Sequence, residues 1–392
     1  MTPPAGGWGS LASATSPPPR SASRPAHPHD GLRALLCMLV IVGHLELAPF
    51  LAGGQSRVIA FFALSGFLIT AVLLKRYEAH GSISFSDFYL ARLARFVPAL
   101  LVVSVLGLVC ATAAANEWWA AASVGSSELA AGLPRLWSQT LNFSLMNGAT
   151  DLPYEFVPGW SLGIEWQFYL VWPVVVLGVL WAFGLRALRW LALAVAITGF
   201  SWSFWLALSV GIEEPRVMYG TDTRGAAILL GCAAAMFALR PAASAWLTRN
   251  ASRIALIVGI TLAVMFTQLF FDSGPHMTSW GQVVVASAVS LLAASLWVHP
   301  DAVSFLVLPW LAWLGQRSLG LFLFHVPVMQ LFGGPGDAIR TLSVLAMTLA
   351  LTAACYRWFE QPLARATKRW QKRRAAMSSR TGGRAAAVGP AA

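Results

Sequence analysis

An arginine and a histidine set into one apolar run, Arg33 and His44, are the first residues in this chain able to do chemistry. They stand 11 residues apart in LRALLCMLVIVGH. On an α-helix that spacing is about three turns with ~20° left over, so both project from one face, roughly 16 Å apart along the axis. An ionisable ring in such a run is costly, so it is either a functional group or a histidine bonded to a neighbouring helix. Glu46 lies two residues beyond His44 and points elsewhere, which makes it a poor orienting partner. Arg92 and Arg95, in ARLARFVP, are three apart and share a face. Two planar donors side by side suit a phosphate or pyrophosphate, although the same pair also fits an ordinary basic membrane flank.

Further acids and bases lie in other apolar runs. Glu165, in WSLGIEWQFY, falls one turn into an apolar helix and needs a partner or a wet cavity. Its neighbours Trp160, Trp166 and Tyr169 suit an aromatic belt at a membrane edge. Asp222 and Arg224, in TDTRG, offer a second acid–base pair at the same outer level, or a structural ion pair. His325, in LFLFHVP, precedes Pro327, whose missing N–H frees carbonyls that the ring can satisfy. Glu360, in WFEQP, reads as an orienting partner for the inner arginines.

These residues need a scaffold, and composition says which kind. Of 392 residues 57% are hydrophobic and 11% charged, against roughly 25% charged in a soluble domain. Mean hydropathy is +0.65, and 18 Trp with 22 Phe exclude a disordered chain. The fold class is therefore all-α, a polytopic transmembrane bundle of about ten spans. Windows of the required length fall at 32–51, 57–75, 96–115, 162–183, 190–210, 224–239, 254–271, 280–298, 316–333 and 341–359. The window at 224–239 is short, and 303–315 reads as a half-helix or interfacial segment. Residues 1–29, rich in Pro, Ser, Ala and Gly, read as a disordered cytoplasmic tail. Residues 30–365 form the membrane domain, and 366–392 a basic, mostly disordered cytoplasmic tail.

The net charge of +11 would suggest nucleic acid in a soluble protein. In a membrane bundle it is the excess of Lys and Arg that marks cytoplasmic loops. With the N-terminus inside, Lys75, Arg76, Arg92, Arg95, Arg186, Arg189, Arg240, Arg249, Arg253 and the C-terminal cluster fall on the inner side. Only Arg57, Arg135, Arg216, Arg224 and Arg340 of the 27 basic residues fall outside, so both termini are expected in the cytoplasm. Cys37, Cys110, Cys232 and Cys355 are scattered in apolar runs without a CxxC spacing and read as core residues, not as a metal site or a disulfide framework.

In combination these segments resemble the acyltransferase-3 family of bacterial integral-membrane O-acyltransferases. The resemblance is carried by HDGLRALLCMLVIVGH at 29–44, FFALSGFLIT at 61–70, FYLARLARFVPAL at 88–100, WSLGIEWQFYLVWP at 160–173, TDTRGAAILLG at 221–231, LGQRSLGLFLFHVP at 314–327 and YRWFEQP at 356–362. The family's Arg-X10-His motif falls on Arg33 and His44, its RxxR motif on Arg92 and Arg95, and its WSL-x-x-E block on Trp160 to Glu165. One departure is Ile59, which stands where family members often carry an aspartate before the paired phenylalanines, so a polar contact near the outer end of span two is expected to be missing. The soluble hydrolase-like domain that some members carry C-terminally has no counterpart in the sequence.

The resemblance implies a cytoplasmic acyl-CoA donor, no bound cofactor or metal, and a hydroxylated acceptor: a glycan, a glycolipid or a metabolite. It implies a multi-pass protein of the plasma membrane that transfers an acyl group, acetyl by default. Arg33, His44 and Glu165 are then the expected catalytic residues, with His44 as general base or acyl carrier. Arg92, Arg95 and Glu360 are expected at the acyl-CoA, and Trp160, Ser161, Tyr169, Asp222, Arg224 and His325 at the acceptor. The reading from another class is a transporter of a lipid-linked sugar or small anion, which also uses polar residues at mid-membrane and a proline-broken helix.

Overall fold

The computed structural model describes residues 27–47, 54–115, 125–211, 214–266 and 280–387, and among these there is no strand. The proposed N-terminal tail lies outside the described residues up to position 26. Helix α1 is Pro28–His44: His27 caps it, Pro28 occupies the first turn, where a missing N–H costs nothing, and Asp30 complements the dipole. The helix stops at His44. Leu45 N–H closes on the Ile41 carbonyl and Glu46 turns left-handed at φ 53°. The expected 32–51 span is thus interrupted, and His44 lies at a helix end instead of mid-helix. A proline at 49 has no N–H to offer the Leu45 carbonyl.

The long helices are α2 (Gly54–His80), α3 (Phe85–Ala115), α6 (Gly159–Val210), α9 (Pro241–Met265) and α10 (Trp280–Val298). Shorter α4 (Ser126–Trp137), α5 (Leu141–Met146), α7 (Pro215–Tyr219) and α8 (Thr221–Ala238) lie between them. A 3-10 segment, Pro300–Val307, leads into α11 (Pro309–Gln316), which breaks at Arg317 before α12 (Ser318–Leu331). The segment around 303–315 is therefore two short helical pieces. Then α13 (Ala338–Cys355) passes through a π-helical turn, Tyr356–Glu360, into α14 (Gln361–Ala387).

Among the described residues six helical stretches are long and apolar enough to cross a membrane: Arg57–His80, Phe85–Ala113, Gly159–Val210, Pro241–Met265, Trp280–Val298 and Ala338–Arg374. The 52-residue α6 bends at Gly184, φ 75°, into two halves each long enough for a span. Its outer surface carries exposed Trp181, Phe183, Trp205 and Leu208, and α9 exposes Ile257 and Ile260, an apolar face suited to lipid. The basic C-terminal segment, expected as mostly disordered, is helical to Ala387, as its Ala, Arg, Lys and Gln content favours. Gln371 and Arg374 fasten it to the Asp87 carbonyl and the Ser86 hydroxyl at the start of α3.

Helices α2 and α8 meet backbone to backbone. A Cβ on Gly66 would run into the Ile228 carbonyl, and one on Gly231 into the carbonyl of Ala63. Small residues at such crossings let membrane helices approach closely where no hydrophobic force drives them together. Gly231→Leu is expected to cost about 3 kcal/mol or more by overpacking; a thermal melt in detergent that matches wild type would contradict this.

Candidate active site

A cavity of about 910 Å³ runs along α2, lined by Val58, Phe61, Phe62, Ser65, Leu68, Ile69, Val72 and Lys75. Residues 58 to 75 of a helix rise roughly 25 Å, so the space is long. Near Lys75 the wall is cationic, with Arg33 from α1 and Arg92 and Arg95 from α3. Away from Lys75 the lining is largely apolar and includes Phe61, Phe62, Leu162 and Phe322.

The RxxR spacing does what helical geometry requires. Both arginines fall within α3, which starts at Phe85 and not at the expected 96, and both line the cavity. Arg92 lies over the rings of Phe88, at 4.6 Å, and Tyr169, at 5.6 Å. Such a seat holds the guanidinium by cation–π attraction and leaves its edge for an anion. Among the described residues the ion pairs are Arg135–Asp151 and Arg216–Asp222, so Arg33, Arg92 and Arg95 have no carboxylate in contact. Lys75, Arg33, Arg92 and Arg95 line the same cavity as Asp30 and Glu165, with no salt bridge to either among the described residues.

Glu165 belongs to this cavity and not to a separate outer mouth as expected. Ser65 Oγ donates to its Oε1 at 2.6 Å and Tyr169 OH to its Oε2 at 3.0 Å. Tyr169 is one turn further along α6, so the i, i+4 pair shares a face, and that face packs on α2 and α3. The carboxylate is within electrostatic range of Arg33 and Arg92 without pairing with either.

His44 does not line the cavity. Two rings of the cavity wall lead toward it: Phe61 packs on Phe322 at 6.4 Å between centroids, and Phe322 on His325 at 6.1 Å. His44 is half-buried, and its Nδ1 is 2.9 Å from His325 Nε2. His325 is fully enclosed, with its Nδ1 3.1 Å from the Leu321 carbonyl. That carbonyl is not the one Pro327 leaves without a donor, which is that of Leu323.

The remaining expected residues divide. Ser161 lines the cavity, its hydroxyl donating to the Pro158 carbonyl. Trp160 is core instead of belt, edge-on to Phe62 at 6.1 Å and to Tyr219 at 5.2 Å. Asp222 pairs with Arg216 at 2.7 Å and accepts from the Trp202 indole, outside the cavity. Its sequence neighbour Arg224 is two residues along the helix and faces another way. Arg224 is wholly buried, its Nε donating to the Met218 carbonyl and its two terminal nitrogens having no hydrogen-bond partner among the described residues. Ile59 is buried too. Glu360 is buried in the π turn beside Cys355, in electrostatic range of Arg95 and Arg317 but not in the cavity wall.

Several residues escaped the sequence reading as site residues. Arg57, counted as an outer flank, is buried in α2 with its guanidinium against Gly43, next to His44. Ser65 and Phe322 sat inside quoted motifs, yet a serine or phenylalanine in an apolar run carries no signal of its own. His27 and His29 line the cationic end, and His29 Nε2 donates to the Ala293 carbonyl at 2.9 Å. In the 3-10 turn Tyr154–Phe156, Glu155 is buried with neither carboxylate oxygen partnered among the described residues, and burial pushes its carboxyl pKa up. The four cysteines are buried; Cys37, Cys110 and Cys232 donate to backbone carbonyls.

An apolar helical bundle around a long chamber with a cationic wall, and an imidazole pair outside its lining, defines a membrane protein with an internal cavity. A family model described as an acyltransferase domain matches residues 29–357, and the chain belongs to that family, acyltransferase-3. It is 29% identical over 345 residues to the peptidoglycan O-acetyltransferase OatA of Listeria monocytogenes, covering 85% of this chain and 55% of the relative. It is 28% identical to the putative peptidoglycan O-acetyltransferase YrhL of Bacillus subtilis, over 85% of this chain and 54% of the relative. The O-acetyltransferase OatA of Staphylococcus aureus is also 28% identical, with 85% and 56% covered. The chain thus spans about half the length of the curated relatives it matches. No solved structure matches it.

Proposed function

We propose that this protein is a membrane O-acyltransferase that moves an acetyl group from acetyl-CoA to a hydroxyl of a carbohydrate. The observation that carries the reading is the chamber itself, with four lining cations that make no salt bridge among the described residues and an apolar run leading toward His44. Nucleotide phosphates fit the arginines, and the apolar run suits an extended pantetheine arm. The topology that goes with it has ten crossings of the plasma membrane and both termini in the cytoplasm, so that coenzyme A enters from the cell interior. The relatives named for peptidoglycan acetylation favour a glycan acceptor, reached from the other side of the bundle, where His44 is half-buried and Glu46 and Leu47 are exposed. They also favour group transfer over transport.

In this reaction His44 takes the acceptor's hydroxyl proton as the oxygen attacks the thioester carbonyl. The C–S bond breaks, and the proton passes from the imidazolium to the departing thiolate. An acyl-histidine route uses the same ring as nucleophile. Either route needs Phe61 and Phe322 to part and admit the thioester. Glu165, held by Ser65 and Tyr169, spaces the arginines and keeps the middle of the chamber polar.

Membranes containing the protein, incubated with acetyl-labelled coenzyme A and cell-wall glycan fragments, are expected to yield alkali-labile acetyl esters. Label found only in unreacted acetyl-CoA and free acetate would exclude the proposal. Phe322→Ala opens the partition, so hydrolysis of acetyl-CoA without acceptor is expected to rise several-fold. Unchanged thioester turnover in that variant would show that the aromatic pair separates nothing.

A further inference from the structure

We infer that His325 is a positioning residue that fixes the tautomer of His44 and presents its Nε2 lone pair to the reaction; the inference rests on His44 acting as the transfer base. The argument is one of donors and acceptors. A backbone carbonyl only accepts, so the 3.1 Å contact with Leu321 puts the single proton of a neutral His325 on Nδ1. Its Nε2 is then a lone pair, and the atom 2.9 Å away, His44 Nδ1, is the donor. His44 is left with a hydrogen on Nδ1 and none on Nε2. That is the state a general base needs before it meets a hydroxyl.

The chain of bonds has a direction imposed by the backbone. Leu321 and His325 are one turn apart in the same helix, so the ring folds back on its own helix and its outer nitrogen is aimed at α1. The two rings lie 5.0 Å apart at 34°. Phe322 packs on His325 from the cavity side, which further restricts the ring. His44 itself ends its helix, where no further turn confines its side chain, so His325 supplies the restraint that local structure lacks. When His44 gains a proton at Nε2, its Nδ1–H still points at a lone pair, so the imidazolium is stabilised by the partner ring. In better-known general-base histidines a carboxylate fills this place; here a neutral acceptor does so, and Glu46, the nearest acid in sequence, is exposed on a turn.

Three variants and one spectrum test this. His325→Ala is expected to lower kcat roughly 10²-fold while leaving the KM for acetyl-CoA within twofold. His325→Gln is expected to recover at least tenfold over the alanine variant, because the amide can donate to Leu321 and accept from His44 Nδ1. Nitrogen-15 spectra of ring-labelled protein are expected to show His44 Nε2 unprotonated in wild type and in His325→Gln, and a tautomer mixture in His325→Ala. Wild-type kcat in His325→Ala, or equal losses in the alanine and glutamine variants, would overturn the positioning role. The underlying reading is judged separately by His44→Ala. If that variant still transfers acetyl, the base assignment fails; if it is inactive while His325→Ala is not, only the role of His325 fails.

Discussion

Replacing His44 by alanine is expected to reduce acetyl transfer by roughly 10³-fold or more, the combined loss of general-base catalysis and of a positioned partner for the hydroxyl. The KM for acetyl-CoA should move little, because His44 does not line the chamber that would hold the coenzyme. Folding should survive. The imidazole is half-buried at a helix end, and its removal leaves His325 Nε2 as an acceptor, for which water can substitute. The measurement is initial rate against acetyl-CoA and against acceptor, in detergent or nanodiscs, with melting temperature recorded beside it. Transfer at the wild-type rate would remove His44 from the chemistry. A large rise in KM with unchanged kcat would move it to the donor site, contrary to the position described here.

The second large effect belongs to Arg92 and Arg95. A charge-assisted hydrogen bond is worth about 1.5–3 kcal/mol, so losing two against phosphate should raise the KM for acetyl-CoA roughly 10²-fold. Lysine replacements are expected to fall between, since they keep the charge but lose the planar fork and, at 92, the stacking on Phe88 and Tyr169. The wild-type KM should rise with ionic strength, and the double alanine variant should lose most of that dependence. The same variants should leave kcat within a few-fold, because the arginines sit near the Lys75 end of the chamber, away from Phe322. Donor saturation that does not change in the double variant would show that the cationic wall binds something else.

Much of this was legible in the sequence because the bilayer restricts what a chain can do. Apolar runs of sufficient length are helices wherever they occur, and RxxR in a helix shares a face whatever surrounds it. Arg33, Arg92 and Arg95 were therefore readable as one cationic cluster, and all three line the same cavity. Helix ends were less legible. The 32–51 window continues past His44 in hydropathy, yet the helix stops there, since hydropathy does not register a turn and a left-handed Glu46 does not alter it.

What the sequence determined by itself is the bundle and the chemistry of its individual faces, because both follow from periodicity and from the cost of burying charge within one helix. What only the tertiary structure decided is which faces meet. Glu165 moved from an outer mouth to the arginine chamber because α6 packs on Ser65 and places Tyr169 beside it. Asp222 went to Arg216 and left Arg224 sealed. His325, 281 residues from His44, became its partner. Pairings across that separation depend on the rotation and depth of two helices, which are set by all the contacts around them and are written in no local stretch of chain.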